Sequence, residues 1–321
     1  MKYYSHILLN LFFLSIILSA DFPDKTQLMR KNSVAKTIGR EDRKDGVHSG
    51  NRVLTRIYNH GAIGDLSSSF SGVYPIGSGH AYIFEFSPII AASVVDANGF
   101  RKHIISDGTI GLTDNSPEGT PWGFEPLSGY ANPNQENLAM SDNENSWPDT
   151  WPNRSADWDG EWNGQYGKYV RADQESYFVV DDYYNSEFEF WPDENDIPQD
   201  TTAAPDNHRR GLGIQLDVRG YQWNHPAAED ILIVTYWITN VGTSVLDSVV
   251  FGMYGDADVG GPSSFSDDDA WFDTENDMVF QWDHDNWSTS YGGFKPAYFG
   301  WSFLESPGNP NDGIDNDEDG M

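Results

Sequence analysis

A chain of 321 residues has room for one large or two ordinary domains and a substantial core. It carries 50 acidic residues against 19 basic ones, a formal charge of −31, so its surface repels nucleic acid and anionic lipid, whose capture needs clustered Lys and Arg. There is no cysteine, so no disulfide framework holds it, and 12 Trp, 16 Tyr and 18 Phe argue against the disorder that such acidity would otherwise suggest.

The chain opens with Lys2, continues through an almost purely apolar run from Ile7 to Leu18, and reaches small residues at Ser19-Ala20. This order predicts a secretory signal peptide over residues 1–20, removed on export. The run is too short to span the ~30 Å hydrocarbon core comfortably, which disfavours an uncleaved anchor. Residues 21–50 hold Lys25, Arg30, Lys31, Lys36, Arg40, Arg43 and Lys44 with few large apolar groups, and read as a flexible leader. Export places the mature protein at the cell surface or in the medium.

From residue 51 the texture is that of strands and turns. Val53–Tyr58 and Ala81–Phe86 have strand character. Ile89–Val95, the turn Asp96-Ala97-Asn98-Gly99 and Phe100–Ile105 predict a β-hairpin, because Asn-Gly accepts the positive φ that a tight turn needs. Residues 107–168 hold Trp122, Trp147, Trp151, Trp158 and Trp162 among Gly, Pro, Asn and Asp without periodicity. Such a segment is expected to be an ordered loop layer over the core or a binding face, with Trp147 and Trp151 as candidate ligand-binding residues.

Ser176–Asp181 resumes a strand. Ile214, Leu216 and Val218 alternate with Gln215, Asp217 and Arg219, the period of a half-buried strand. Ile231–Thr239 is continuously apolar and suits a central strand, with Val245–Tyr254 expected to pair back onto it after a polar turn. Met278–Trp282 and Ala297–Leu304 look like further strands. No stretch keeps a 3.6-residue period. The expected fold is all-β, an immunoglobulin-like or jelly-roll-like β-sandwich over residues 51–300 with long Trp- and Gly-rich loops, and a subdomain break near 107–170.

Asp315, Asp317 and Asp319, followed by Gly320, have the spacing of the first half of a calcium loop. Three carboxylates two residues apart can converge on one ion, so Ca2+ is the expected cofactor. Asp256 and Asp258 follow a strand and can share a second loop. Asp267-Asp268-Asp269 and Asp283-His284-Asp285-Asn286 could also supply oxygen ligands, but Asp is a common turn residue and each is read first as a polar turn. No nucleophile elbow, H-E-x-x-H pair, P-loop or dinucleotide fingerprint is present, so no catalytic residue is assigned.

The stretches Ala172-Asp173-Gln174-Glu175-Ser176-Tyr177, Arg219-Gly220-Tyr221-Gln222-Trp223 and Phe251-Gly252-Met253-Tyr254-Gly255-Asp256, with Phe303-Leu304-Glu305-Ser306-Pro307-Gly308, carry a resemblance. Over residues 51–320 the chain resembles the N-terminal region of large secreted bacterial surface proteins. These often continue into fibronectin-like modules and a type IX secretion sorting domain. The resemblance implies a surface or secreted location, hints at calcium and supplies no activity. It also implies that residues 301–321 are the front of an Asp-rich loop that a longer protein would continue. Two functions stay open: a non-catalytic structural or adhesive module whose partners are other surface proteins, and a carbohydrate-binding or carbohydrate-active protein whose partner is a polysaccharide.

Overall fold

The computed structural model describes residues 40–65, 69–96, 98–109, 122–193 and 209–304. Strands β1 (Asp45–His48), β2 (Thr55–Tyr58), β3 (Ile83–Val95), β4 (Arg101–Asp107), β5 (Glu125–Pro126), β6 (Ala139–Met140), β7 (Gln174–Asp181), β8 (Ile214–Gln222), β9 (Ile233–Asn240), β10 (Asp247–Ala257), β11 (Asp268–Asp273), β12 (Met278–Asp283) and β13 (Phe299–Ser302) account for the regular structure, with a few single-turn 3-10 helices. All strand pairing is antiparallel, and the fold is an all-β sandwich.

One sheet has the order β10-β3-β4, and the β1-β2 pair joins it through Ile63, which bridges Ile57 and Phe86. The second has the order β5-β7-β8-β9, with β6 also on β7. Between them lies the main core. Phe86, Ile90, Ala92, Val94 and Ile104 face Phe178, Val180, Leu216 and Val218. Each large side chain buried there contributes about 1.5–3 kcal/mol. The predicted hairpin is β3–β4. Its turn is held by Asp96, whose Oδ1 accepts from the backbone N–H groups of Asn98 and Phe100, both at 2.9 Å.

Four expectations change. The first strand lies at Asp45–His48, inside the stretch read as a leader, and Arg43 makes a bidentate pair with Glu125 at 2.8 and 2.7 Å. β8 is buried along its whole length rather than on one face. Its polar face of Gln215, Asp217 and Arg219 is roofed by the Trp-rich segment, which forms a second apolar cluster of Leu127, Tyr130, Ala139, Trp151 and Trp162 on Tyr177 and Val179. β9 is an edge strand, bonded to β8 on one side only. Finally, β10 does not pair back on β9. The Val241–Leu246 connection carries the chain across to the opposite sheet, where β10 pairs with β3. The two strands then meet face to face through the core, with the rings of Tyr236 and Phe251 5.1 Å apart.

The third sheet is the meander β11-β12-β13. Register and alternation give it two unlike faces. Asp268, Gln281, Asp283, Phe299 and Trp301 lie on the inner one, where Phe299 and Trp301 pack edge-on against Phe86 of β3 at 5.2 and 4.8 Å. Close approach depends on Gly255 of β10, because a Cβ there would come within 2.6 Å of the Phe86 ring and 3.1 Å of Trp301. Asp269, Trp271, Phe280 and Trp282 lie on the outer face.

Candidate metal centre

The meander begins and ends its first hairpin in carboxylates. Asp268 and Asp283 are directly opposed in the β11–β12 register, a pairing of like charges that costs stability when nothing lies between them. Around them two turns interlock. After β10 the chain turns through Asp258 to Gly261, and Ser288 Oγ from the loop after β12 donates to the Gly260 carbonyl at 2.5 Å. Ser264 Oγ donates to Asp283 Oδ2 at 3.0 Å, and the Trp287 N–H donates to both Asp283 Oδ1 and Asp285 Oδ1, at 2.8 and 2.9 Å.

This folding brings Asp267, Asp283 and Asp285 together. Each offers one carboxylate oxygen, and the three oxygens lie within 4.8 Å of one another. Asp283 is buried, while Asp267 and Asp285 are open to solvent. Such a triad can hold a metal ion. Two more carboxylates border it. Asp258 is buried, and burial together with Asp256 pushes its carboxyl up to about 6. Burial pushes the Asp268 carboxyl up to about 7. The Val259 N–H, donating to Asp268 Oδ2 at 2.9 Å, opposes that shift, and the charges of Asp258, Asp283 and Asp267 add to it. On the outer face Asp269 Oδ2 lies 2.7 Å from His284 Nδ1 and raises that imidazole above its ordinary value.

Among the residues singled out from the sequence, Asp315, Asp317 and Asp319 lie outside the described residues. Asp256 accepts from the Tyr254 hydroxyl at 3.2 Å. Asp258 faces the acidic cluster. Asp267 and the Asp283–Asp285 pair, each read from sequence as a separate polar turn, are the residues that the fold joins. Trp151 is only 3 % exposed, its indole donating to the Glu161 carbonyl at 2.9 Å, so it serves the interior. Trp147 packs on the same cluster with its indole on the Met140 carbonyl at 2.7 Å.

The outer face of the meander carries aromatic rings that the sequence did not single out. Trp271 and Tyr298 are well exposed, and Phe280, Trp282 and Tyr298 form a cluster with centroids 5.5–6.2 Å apart. A Ser–His contact also exists: His48 Nε2 lies 2.9 Å from Ser176 Oγ. Both residues are fully buried, so this contact is closed to solvent.

Comparison with known proteins finds no match to a family model, a curated protein or a solved structure. Among the described residues no helix is long and apolar enough to cross a membrane.

Proposed function

We propose that this chain is an exported, non-catalytic β-sandwich module with a structural or adhesive role at a bacterial cell surface, stabilised by Ca2+. The observation that carries the reading is the convergence of Asp267, Asp283 and Asp285 on a common point. All three ligands are carboxylate oxygens, the chain has no thiol, and the nearby His284 is engaged with Asp269. A hard cation fits such a set, and ligands drawn from turns suit the irregular geometry of Ca2+ better than the strict octahedron of Mg2+. Support for export comes from the order of residues 1–20, and the resemblance to secreted surface proteins agrees with it. Calcium at extracellular, millimolar concentration would keep a modest site filled.

Calorimetric titration of Ca2+ into the chain lacking residues 1–20 tests the reading. The reference form carries Asp315→Asn, Asp317→Asn and Asp319→Asn, so that the Asp-rich tail contributes nothing. Saturable heat is expected, and Asp283→Asn and Asp285→Asn should each abolish it. Absence of heat, or heat indifferent to both substitutions, rejects the site.

A second reading, polysaccharide binding, draws on the aromatic face of the meander. Exposed rings stack on the C–H faces of sugars, and Trp271 and Tyr298 offer them, with the half-buried Trp282 beside Tyr298, where Trp151 does not. On a glycan array, binding that is lost with Trp271→Ala and Tyr298→Ala but kept with Trp147→Ala would move the assignment to this reading.

A further inference from the structure

We propose that the cation is a cross-link between the sandwich and the meander, with Asp258 at the end of β10 and Asp268 at the start of β11 completing a five-carboxylate site with Asp267, Asp283 and Asp285. The inference rests on the reading that the triad holds a divalent cation, and adds to it which further residues bind and what the ion fastens.

The first argument is Asp258. The residue is 8 % exposed, and its backbone is fully used, the N–H on the Tyr82 carbonyl at 3.0 Å and the carbonyl accepting from Gly261 at 3.0 Å. Among the described residues its carboxylate receives no hydrogen bond. A desolvated carboxylate without a donor is costly, and it is tolerated where an ion supplies the missing charge. The second is Asp268, whose Oδ1 is also buried without a partner while Oδ2 is taken by the Val259 N–H. Gln281 Oε1, like Asp268 Oδ1, is a buried acceptor without a donor among the described residues, and it belongs to the same inner face, two residues along β12 from Asp283.

Every one of these atoms is an acceptor, so a cation or a hydrogen-bond donor fits them and an anion does not. The surrounding sequence has almost no positive charge to give. Residues 247–304 contain eleven Asp and Glu and a single Lys or Arg, Lys295, whose side chain is exposed. One divalent ion held where Asp267, Asp283 and Asp285 converge would offset the charge of the acids around it, and with Asp258 and Asp268 turned onto it would join the sandwich to the meander.

The test uses the full chain with the three tail substitutions named above. Calorimetry should find Ca2+ affinity lowered about tenfold or more by Asp258→Asn and by Asp268→Asn, the loss of about 1.4 kcal/mol that a tenfold change represents. Hydrogen exchange read by mass spectrometry should show Ca2+ slowing residues 258–287 about tenfold or more in the parent, with β7 and β8 unaffected, and no slowing in either variant. Terbium luminescence decay in light and heavy water needs no variant. With Ca2+-type sites taking roughly 6–8 oxygens, five carboxylates leave about three or fewer places for water, while the triad alone leaves about three to five. Affinity and protection unchanged in both variants, with Asp283→Asn inactive, would leave the triad standing and overturn the cross-link. Failure of the parent to bind Ca2+ would remove the triad reading itself.

Discussion

His48 shows how one buried side chain ties stability to pH. It lies inside the sandwich on Ser176 and against Gly220, where a Cβ would approach its Nε2 to 2.6 Å, so glycine makes room for the ring. Burial lowers its pKa from 6.5 to about 4. The folded state therefore prefers the neutral ring, and the unfolded chain binds the extra proton between those two values. Stability from this group is complete above about pH 6.5 and is lost as pH falls toward 4, by about 3 kcal/mol in total. The raised carboxyls of Asp258 and Asp268 act in the opposite direction over the same range, so the His48 contribution is read from a difference: in urea unfolding from pH 7 to pH 4 the wild type should lose about 3 kcal/mol more, or gain that much less, than His48→Gln. Nothing in the sequence marks this histidine, because four residues of β1 are too few for a periodic signal.

The pairing of β7 and β8 is where sequence and fold agree best and then part. Alternation of Ile214, Leu216 and Val218 is legible, since a period of two is written into the residues themselves. The roof is not, because the Trp-rich segment follows no period and its order comes from side-chain bonds. The Arg219 guanidinium lies 3.8 Å over the Tyr177 ring, and the Tyr177 hydroxyl donates to Asp217 at 2.8 Å. Asn153 donates to that hydroxyl at 2.7 Å, and Asn163 to Asn153 at 3.0 Å. Trp162 donates to Glu175 at 2.7 Å. Arg219 and Asp217 are both buried, so Arg219→Leu strands a charged partner and should cost about 3–5 kcal/mol in urea unfolding. Asp217→Leu added to it should recover part of that loss. A similar limit governs β9 and β10. A continuous apolar run suits a central or an edge strand alike, and a short polar turn serves a crossover as well as a hairpin.

At the scale of the whole molecule the all-β class was readable from turns and aromatic strands, whereas the convergence of acids was not. Asp258, Asp267 and Asp283 are separated by loops and a hairpin, and each alone has the look of an ordinary turn. The spacing that sequence reading can recognise, three Asp two apart, draws attention to residues 315–319 instead. Only strand register brings Asp268 opposite Asp283, and only the interlocked turns add Asp258. Acidity that reads as general solubility is, in this region, concentrated on one seam between two sheets.

The division of tryptophans between roof and meander gives the protein two built-in optical reporters. Trp151 and Trp162 are 3 % and 2 % exposed, whereas Trp271 and Trp287 are 65 % and 55 % exposed. Acrylamide should therefore quench the emission in two classes, one shielded and blue-shifted, one accessible and red-shifted. Because the Trp287 N–H is bonded to Asp283 and Asp285, Ca2+ should change the accessible class alone, and Trp287→Phe should remove much of that response. Light emitted by the protein would then distinguish loosening at the seam from unfolding of the sandwich, in one cuvette and without a label.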